Sequence, residues 1–284
     1  MPVIKLFAPC AALALLSLLA ACAPEPPEPQ EPPLPLPGYE LIEDGGFVIP
    51  AVDPRLMADG YQRAQVPYAG DDKPGTIVVD TFARKLYLVE EGGIATRYGI
   101  AVGREGLSFK GMGVIGRMEK WPSWTPTVNM VKTRPDLYLE FAGGMSGGLD
   151  NPLGSRALYL FRNGKDSNFR IHGTIDNNSI GHATSAGCIR LYNQDAIDLF
   201  ARVDIGSKVR VRSYDESLAI EGLYMEDAYG RAVPDTPENQ IRKIEEAAAL
   251  AAAEAANPAL AAYHAAARAE DEAAKRQAKA AGGF

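Results

Sequence analysis

Cysteine and histidine are scarce in this chain, with three of each among 284 residues and only two tryptophans. Cys10 lies inside an apolar N-terminal stretch and Cys22 at its end, so the remainder keeps Cys188 alone, too few thiols for a disulfide framework. The same poverty excludes a structural zinc site. No phosphate-binding glycine loop is present, and no segment recurs at a solenoid period. The 29 Lys and Arg are outnumbered by 36 Asp and Glu, and a net charge of −7 argues against a nucleic-acid partner. The acid excess is spread over the Pro-rich and C-terminal regions, which speaks for solubility rather than a charged binding face.

What is present begins with a leader. Lys5 precedes the apolar run Ala11 to Ala21, too short to cross a bilayer but proportioned like a secretory signal. It ends in Leu19-Ala20-Ala21-Cys22, which resembles a bacterial lipobox and makes Cys22 the expected lipidation site. The Pro-rich acidic stretch from Ala23 to Gly38 cannot pack a core and reads as an extended spacer. Ala23 after the lipidated cysteine resembles the outer-membrane sorting pattern of Gram-negative lipoproteins, so the expected location is the periplasm, with the membrane met through the lipid.

The clearest local pattern runs from Gly75 to Gly103, where β-branched and aromatic residues predict strands over 76–80, 85–89 and 95–102. Further strands are expected over 157–161, 168–172 and 208–212. One helix is expected over 194–203, capped by Asn193, with Ala196, Leu199, Phe200 and Val203 on its apolar face. The interval from Gly103 to Gly154, dense in Gly, Pro and Trp, reads as a surface loop bordering a cleft, with Trp121 and Trp124 as packing or lid residues. From Thr236 the chain turns alanine-rich, broken at Asn257-Pro258, and two long helices that bury little are expected.

The chemistry gathers around Cys188. A thiol attacks a carbonyl as its thiolate, and a nearby imidazole is the usual proton acceptor. His172 closes an expected strand, Gly173 lets the backbone turn away, and a loop returns the chain to Ser185-Ala186-Gly187-Cys188-Ile189-Arg190. Gly187 permits a backbone in which adjacent N–H groups face an oxyanion. Arg190 suits bidentate recognition of a substrate carboxylate, its rival role being a structural ion pair with Asp195; Ser185 is a further candidate for substrate contact. His182 reads as an exposed loop residue, and His264 carries no signal.

The segments His172-Gly173-Thr174, Ser179-Ile180-Gly181, Ser185 to Leu191 and Asn193-x-Asp195-Ala196 resemble the signature of the L,D-transpeptidase (YkuD-type) catalytic domain, and the resemblance extends over 75–213. It implies a mainly β, sandwich-type fold with a small helical component, and no cofactor or metal. It also implies that Cys188 cleaves the diaminopimelate–D-Ala amide of a peptidoglycan stem peptide. The thioester would pass to an amine of a second stem or of a protein being anchored, with His172 as base and the Gly173 carbonyl orienting it. A carbapenem would acylate the same thiol. The alternatives are a hydrolase of the same fold and a non-catalytic wall-binding tether. Many members carry His before the Gly-Cys pair, where this chain has Ala186. The expected organisation is thus 1–21 signal peptide, 22–38 anchor and linker, 39–74 lead-in, 75–213 catalytic domain, and 214–284 linker and Ala-rich helical tail.

Overall fold

A computed structural model of the chain describes residues 33–57, 59–103, 111–184 and 188–280. A hairpin of β1 (Ile42–Asp44) and β2 (Phe47–Ile49) comes first. It is followed by β3 (Ala64–Pro67), β4 (Ile77–Asp80), β5 (Lys85–Val89), β6 (Ile94–Gly99), β7 (Ala101–Gly103) and β8 (Gly111–Lys120). Helices α1 (Val128–Thr133) and α2 (Pro135–Tyr138) precede β9 (Arg156–Arg162), β10 (Lys165–His172), β11 (Ala183–Thr184) and β12 (Ile189–Arg190). Then come α3 (Asn193–Arg202), β13 (Lys208–Val211), α4 (Tyr214–Glu221), a second hairpin of β14 (Tyr224–Glu226) and β15 (Ala232–Pro234), and the long helices α5 (Pro237–Ala256) and α6 (Pro258–Ala280). The mainly β fold with an Ala-rich helical C-terminus is what the sequence led one to expect. No described helix is long and apolar enough to cross a membrane.

Eleven strands form one mixed sheet in the order β11-β7-β12-β10-β9-β8-β13-β4-β5-β6-β3. The stretch expected as one strand over 95–102 is in fact two, β6 and β7, parted by Ile100 alone. They pair at opposite ends of the sheet, so the sheet must curl until its ends nearly meet. The gain is a common interior: Ile77, Leu86, Ile100, Ile115, Leu160, Ile171, Leu199 and Val209 belong to one buried cluster that reaches from β4 to α3. A fully buried Leu or Ile side chain is worth roughly 1.5–3 kcal/mol, so closure on this cluster outweighs the broken strand.

The other face of β4–β6 is buried as well: Val78, Tyr87, Val89 and Ala95 form a cluster there, with Val66 and Tyr68 packed against it. That is why all four residues of β4 are buried and why it reads as a continuous apolar run. A third cluster joins Tyr39, Val52, Met57 and Tyr61 of the N-terminal segment to Ala101, Ile180 and Tyr192.

The expected loop from 103 to 154 contains a ten-residue strand, β8, between β13 and β9. Its glycines and charges hide the strand period, and the register shifts between Ile115 and Arg117, where Gly116 sits. The rest of that interval carries α1 and α2 and its own aromatic contacts: Trp124 lies 6.2 Å from the rings of both Tyr138 and Phe141. Trp121 packs at 4.3 Å on Phe47 and donates from Nε1 to Asp44 at 2.7 Å. Both tryptophans are therefore packing residues, one of them tying the interval to the β1–β2 hairpin.

Candidate active site

Alternation along β10 sends Ile171 into the main core and His172 to the opposite side. His172 is held on both flanks. It is level with Ala157 of β9 and with Arg190 of β12, its carbonyl accepts from Leu191 N at 2.8 Å, and Gly173 N donates to Arg156 O at 3.1 Å. Only 4% of the residue is exposed.

Its ring has one permitted tautomer. Nδ1 lies 2.6 Å from the carbonyl oxygen of Gly173, and a carbonyl only accepts, so Nδ1 carries the proton and Nε2 presents a lone pair. Burial, reinforced by the positive Arg190 guanidinium, pushes the imidazole down to about 3, against the Gly173 and Leu153 carbonyls that favour the protonated ring. The surroundings of the ring thus favour its neutral form.

The thiol comes from the adjoining strand. Cys188 is half-buried and directly precedes β12, which runs parallel to β10 and antiparallel to β7; its carbonyl accepts from Gly103 N at 3.0 Å. Arg190 is level with His172, and extended chain returns to the same face every second residue, which sets Cys188 toward the His172 side. The pairing of β10 with β12 thereby brings Cys188, His172 and Arg190 to one sheet face. Ser185, Ala186 and Gly187 lie outside the described residues, as does Cys22.

Arg190 does not pair with Asp195. That carboxylate is fully buried at the start of α3, accepts from Tyr39 Oη at 3.0 Å and faces Arg63 at 3.2 Å. Burial raises it to about 7 despite the pull of Arg63 and Tyr39. Among the described residues no carboxylate forms an ion pair with Arg190. His182 also departs from expectation: it is half-buried, bridged to Arg231 before β15, and lowered by that burial. It faces the β14–β15 hairpin, where Gly230 lies beside its Nδ1.

The residue that sequence reasoning misplaced most is Asn193. It was expected to cap α3, yet the helix makes no side-chain cap bond at its N-cap, Tyr192. Instead Asn193 Oδ1 accepts from Ser155 N and Nδ2 donates to the Thr174 carbonyl, each at 2.8 Å. The amide thus clasps the turn whose carbonyl holds His172. The fit is tight: a Cβ on Gly173 would collide with Asn193 Oδ1 and stand 3.1 Å from Ser155 N, and one on Gly154, at φ +62°, would stand 2.8 Å from the Gly173 carbonyl carbon. Asn151 fastens the neighbouring loop, donating to the Pro122 and Ser146 carbonyls and accepting from Leu153 N. The signal was the pairing of Asn151 and Asn193 with Gly154 and Gly173, which spacing along the chain does not reveal.

Residues 74–211 match the family model of the L,D-transpeptidase catalytic domain, YkuD. A Fuscovulum blasticum protein, assigned by name to the L,D-transpeptidases and to the ATP synthase subunits region, is 38% identical over 48% of this chain and 68% of its own. The probable L,D-transpeptidase YcfS of Escherichia coli K12 is 32% identical over 48% of this chain and 43% of its own, so the chain spans less than half of that relative. A crystal structure of a Brucella melitensis protein, described as a probable carnitine operon oxidoreductase, is 47% identical over 53% of this chain and 92% of its own, with a TM-score of 0.39. A superposition that low bears on neither fold nor function.

Proposed function

Because the chain belongs to the family of L,D-transpeptidase catalytic domains, we propose that it transfers peptidoglycan stem peptides through a thioester on Cys188. The observation that carries this reading is His172, a buried neutral imidazole with Nδ1 tied to Gly173, standing beside the strand that starts after Cys188. Sγ attacks the amide carbonyl between diaminopimelate and D-Ala. As the S–C bond forms, Nε2 takes the thiol proton, and as the C–N bond breaks the same nitrogen returns it to the departing D-Ala amine. An acceptor amine then loses its proton to His172, displaces sulfur and restores the thiol.

The lowering of His172 by burial supports a neutral ring that accepts the thiol proton as attack proceeds. Arg190 is the candidate for the carboxylate of the stem peptide. Neutralising that guanidinium lifts one of the three causes that hold His172 down, beside burial and Arg170, and carboxylate binding would strengthen the base when it is needed. Gly187 and Ser185 are proposed to line the oxyanion and substrate side, and Cys22 to carry lipid that anchors the protein in the periplasm.

The test is incubation of the purified protein with a disaccharide tetrapeptide, followed by mass analysis. Cross-linked dimer indicates transfer to a stem amine, whereas tripeptide alone assigns a hydrolase. Turnover that survives Cys188→Ala would remove the thiol from the mechanism. Mass analysis of the mature N-terminus tests the anchor, since an unlipidated Cys22 would refute it.

A further inference from the structure

We propose that a second site, distinct from the thiol centre, binds the carboxylate of a small apolar acid or of a peptide end at Arg84. A cavity of about 240 Å3 lies between the β4–β5 turn and the α4–β14 segment, walled by Phe82, Tyr214, Leu218, Leu223, Tyr224 and Met225, with Arg84 among its lining. None of His172, Cys188 or Arg190 lines it.

Arg84 is 7% exposed, and its guanidinium makes no hydrogen bond among the described residues; Nε is buried without a partner. The nearest carboxylate oxygen, on half-exposed Glu226, is 3.9 Å from Nη2, beyond hydrogen-bond reach. Asp80 is close enough to be felt electrostatically, but its two oxygens are already taken by Phe82 N, Ala83 N, Ser217 Oγ and Arg212. A guanidinium is always charged and carries five donors in a fixed fork, so leaving it buried with one long ion pair to Glu226 and no hydrogen bond is costly. Arg84 also holds a left-handed backbone, φ +55°, rarely adopted by a long side chain. The backbone is anchored there, since Arg84 O accepts from Ile100 N at 3.0 Å.

A planar cation in the lining of a cavity walled mostly by aromatic and aliphatic side chains, with Glu226 beside it, fits one chemistry, a carboxylate with an apolar flank. The volume suits a group the size of a single amino-acid residue. The ligand is either a free acid or the last residue of a peptide.

Saturation-transfer NMR on the full chain distinguishes these cases, with N-acetyl-leucine, its amide and acetyl-Gly-Gly-Leu as probes. Saturable binding of the acids is expected, with the amide and Arg84→Gln each weakening it about tenfold. Leu218→Trp, which fills the cavity without touching Arg84, should block it, and Glu226→Gln should tighten it two- to threefold, roughly, by removing the competing charge. The tighter of the free acid and the peptide identifies the source. Cys188→Ala should bind like the unaltered chain, which keeps this outcome separate from the thiol mechanism. Equal binding of acid and amide, retention in both Arg84→Gln and Leu218→Trp, or no saturable binding of either acid up to about 10 mM would overturn the site.

Discussion

At the end of β10 the structure has no room for one methyl group, whereas α5, at twenty residues, buries none of them. The contrast follows from what each region packs against. The turn after His172 is closed by backbone from β9, by the Leu153–Ser155 loop and by Asn193, so the Gly173 N–H and the Gly173 and Thr174 carbonyls each have a partner. Helix α5 meets the body through polar tethers, Lys243 to the Glu226 carbonyl and Asn239 to the Pro234 carbonyl, and its alanines offer little area to bury. Sensitivity to substitution should therefore be concentrated where the chain is polar and crowded, and nearly absent where it is longest and most regular.

The largest effect is expected at the crowded corner. Gly173→Ala must displace Asn193 or the Ser155 backbone and should cost about 1–3 kcal/mol of stability, with turnover falling by orders of magnitude because the carbonyl that orients His172 moves. Asn193→Ala leaves the Ser155 N–H and Thr174 C=O unpaired, a loss of roughly 1–3 kcal/mol, and should lower kcat more than it alters KM. Denaturant melts and steady-state kinetics check both. Near-normal turnover in either variant would mean that the crowding is incidental to catalysis.

Next in size is the response to pH. A folded value of about 3 for His172 keeps the base neutral, so the acid limb of kcat should fall well below the pH of an ordinary imidazole, near 6.5. Arg190→Gln should shift that limb upward while raising KM. The sign for stability follows: the unfolded chain takes up the imidazole proton first, so this contribution is whole above about 6.5 and is lost as pH falls toward 3. Asp195, raised to about 7, runs the other way, and stability falls as pH rises from about 4 through 7. Unfolding midpoints of His172→Gln and Asp195→Asn across pH 4–8, measured separately, should show slopes of opposite sign removed.

His182→Ala should change turnover less than about twofold, since its ring faces the β14–β15 hairpin; the cost should appear as a small loss of stability, about 1 kcal/mol. Smallest of all is truncation after Asp235. Removing α5 and α6 should leave the cooperative unfolding transition and the transfer activity intact. A truncation nearer 213 should not be tolerated, because α4 and its follow-on segment are tied in through Glu221 to Arg212 and Lys85 and through Tyr61 Oη to the Ala232 carbonyl at 2.5 Å. Loss of cooperativity in the first truncation would show that the helices complete the core and would erase the contrast.

Legibility in the sequence divides along the same line. The strands over 77–80, 85–89 and 208–211 and the α3 face of Ala196, Leu199 and Phe200 were readable because each advertises its own period. β8 was not, since glycine and alternating charges interrupt a strand whose burial comes from Phe161 and Leu160 of a neighbour forty residues on. At the site, His172 and Cys188 stood out by residue type and spacing, while Asn193 was assigned the local job of a cap because Asn at a helix start usually has one.

The sequence by itself determined the mainly β character and the Ala-rich helices, which depend on composition or on neighbours a few positions away. Only the tertiary structure decided that β6 and β7 part at Ile100, that Asp195 belongs to Tyr39 and Arg63 rather than to Arg190, that burial lowers the His172 imidazole, and that Arg84 is left without a hydrogen bond. The physical reason is common to these cases: burial and partner choice arise when distant segments close on one core, and neither the dielectric around a side chain nor the atom opposite it is fixed until they do.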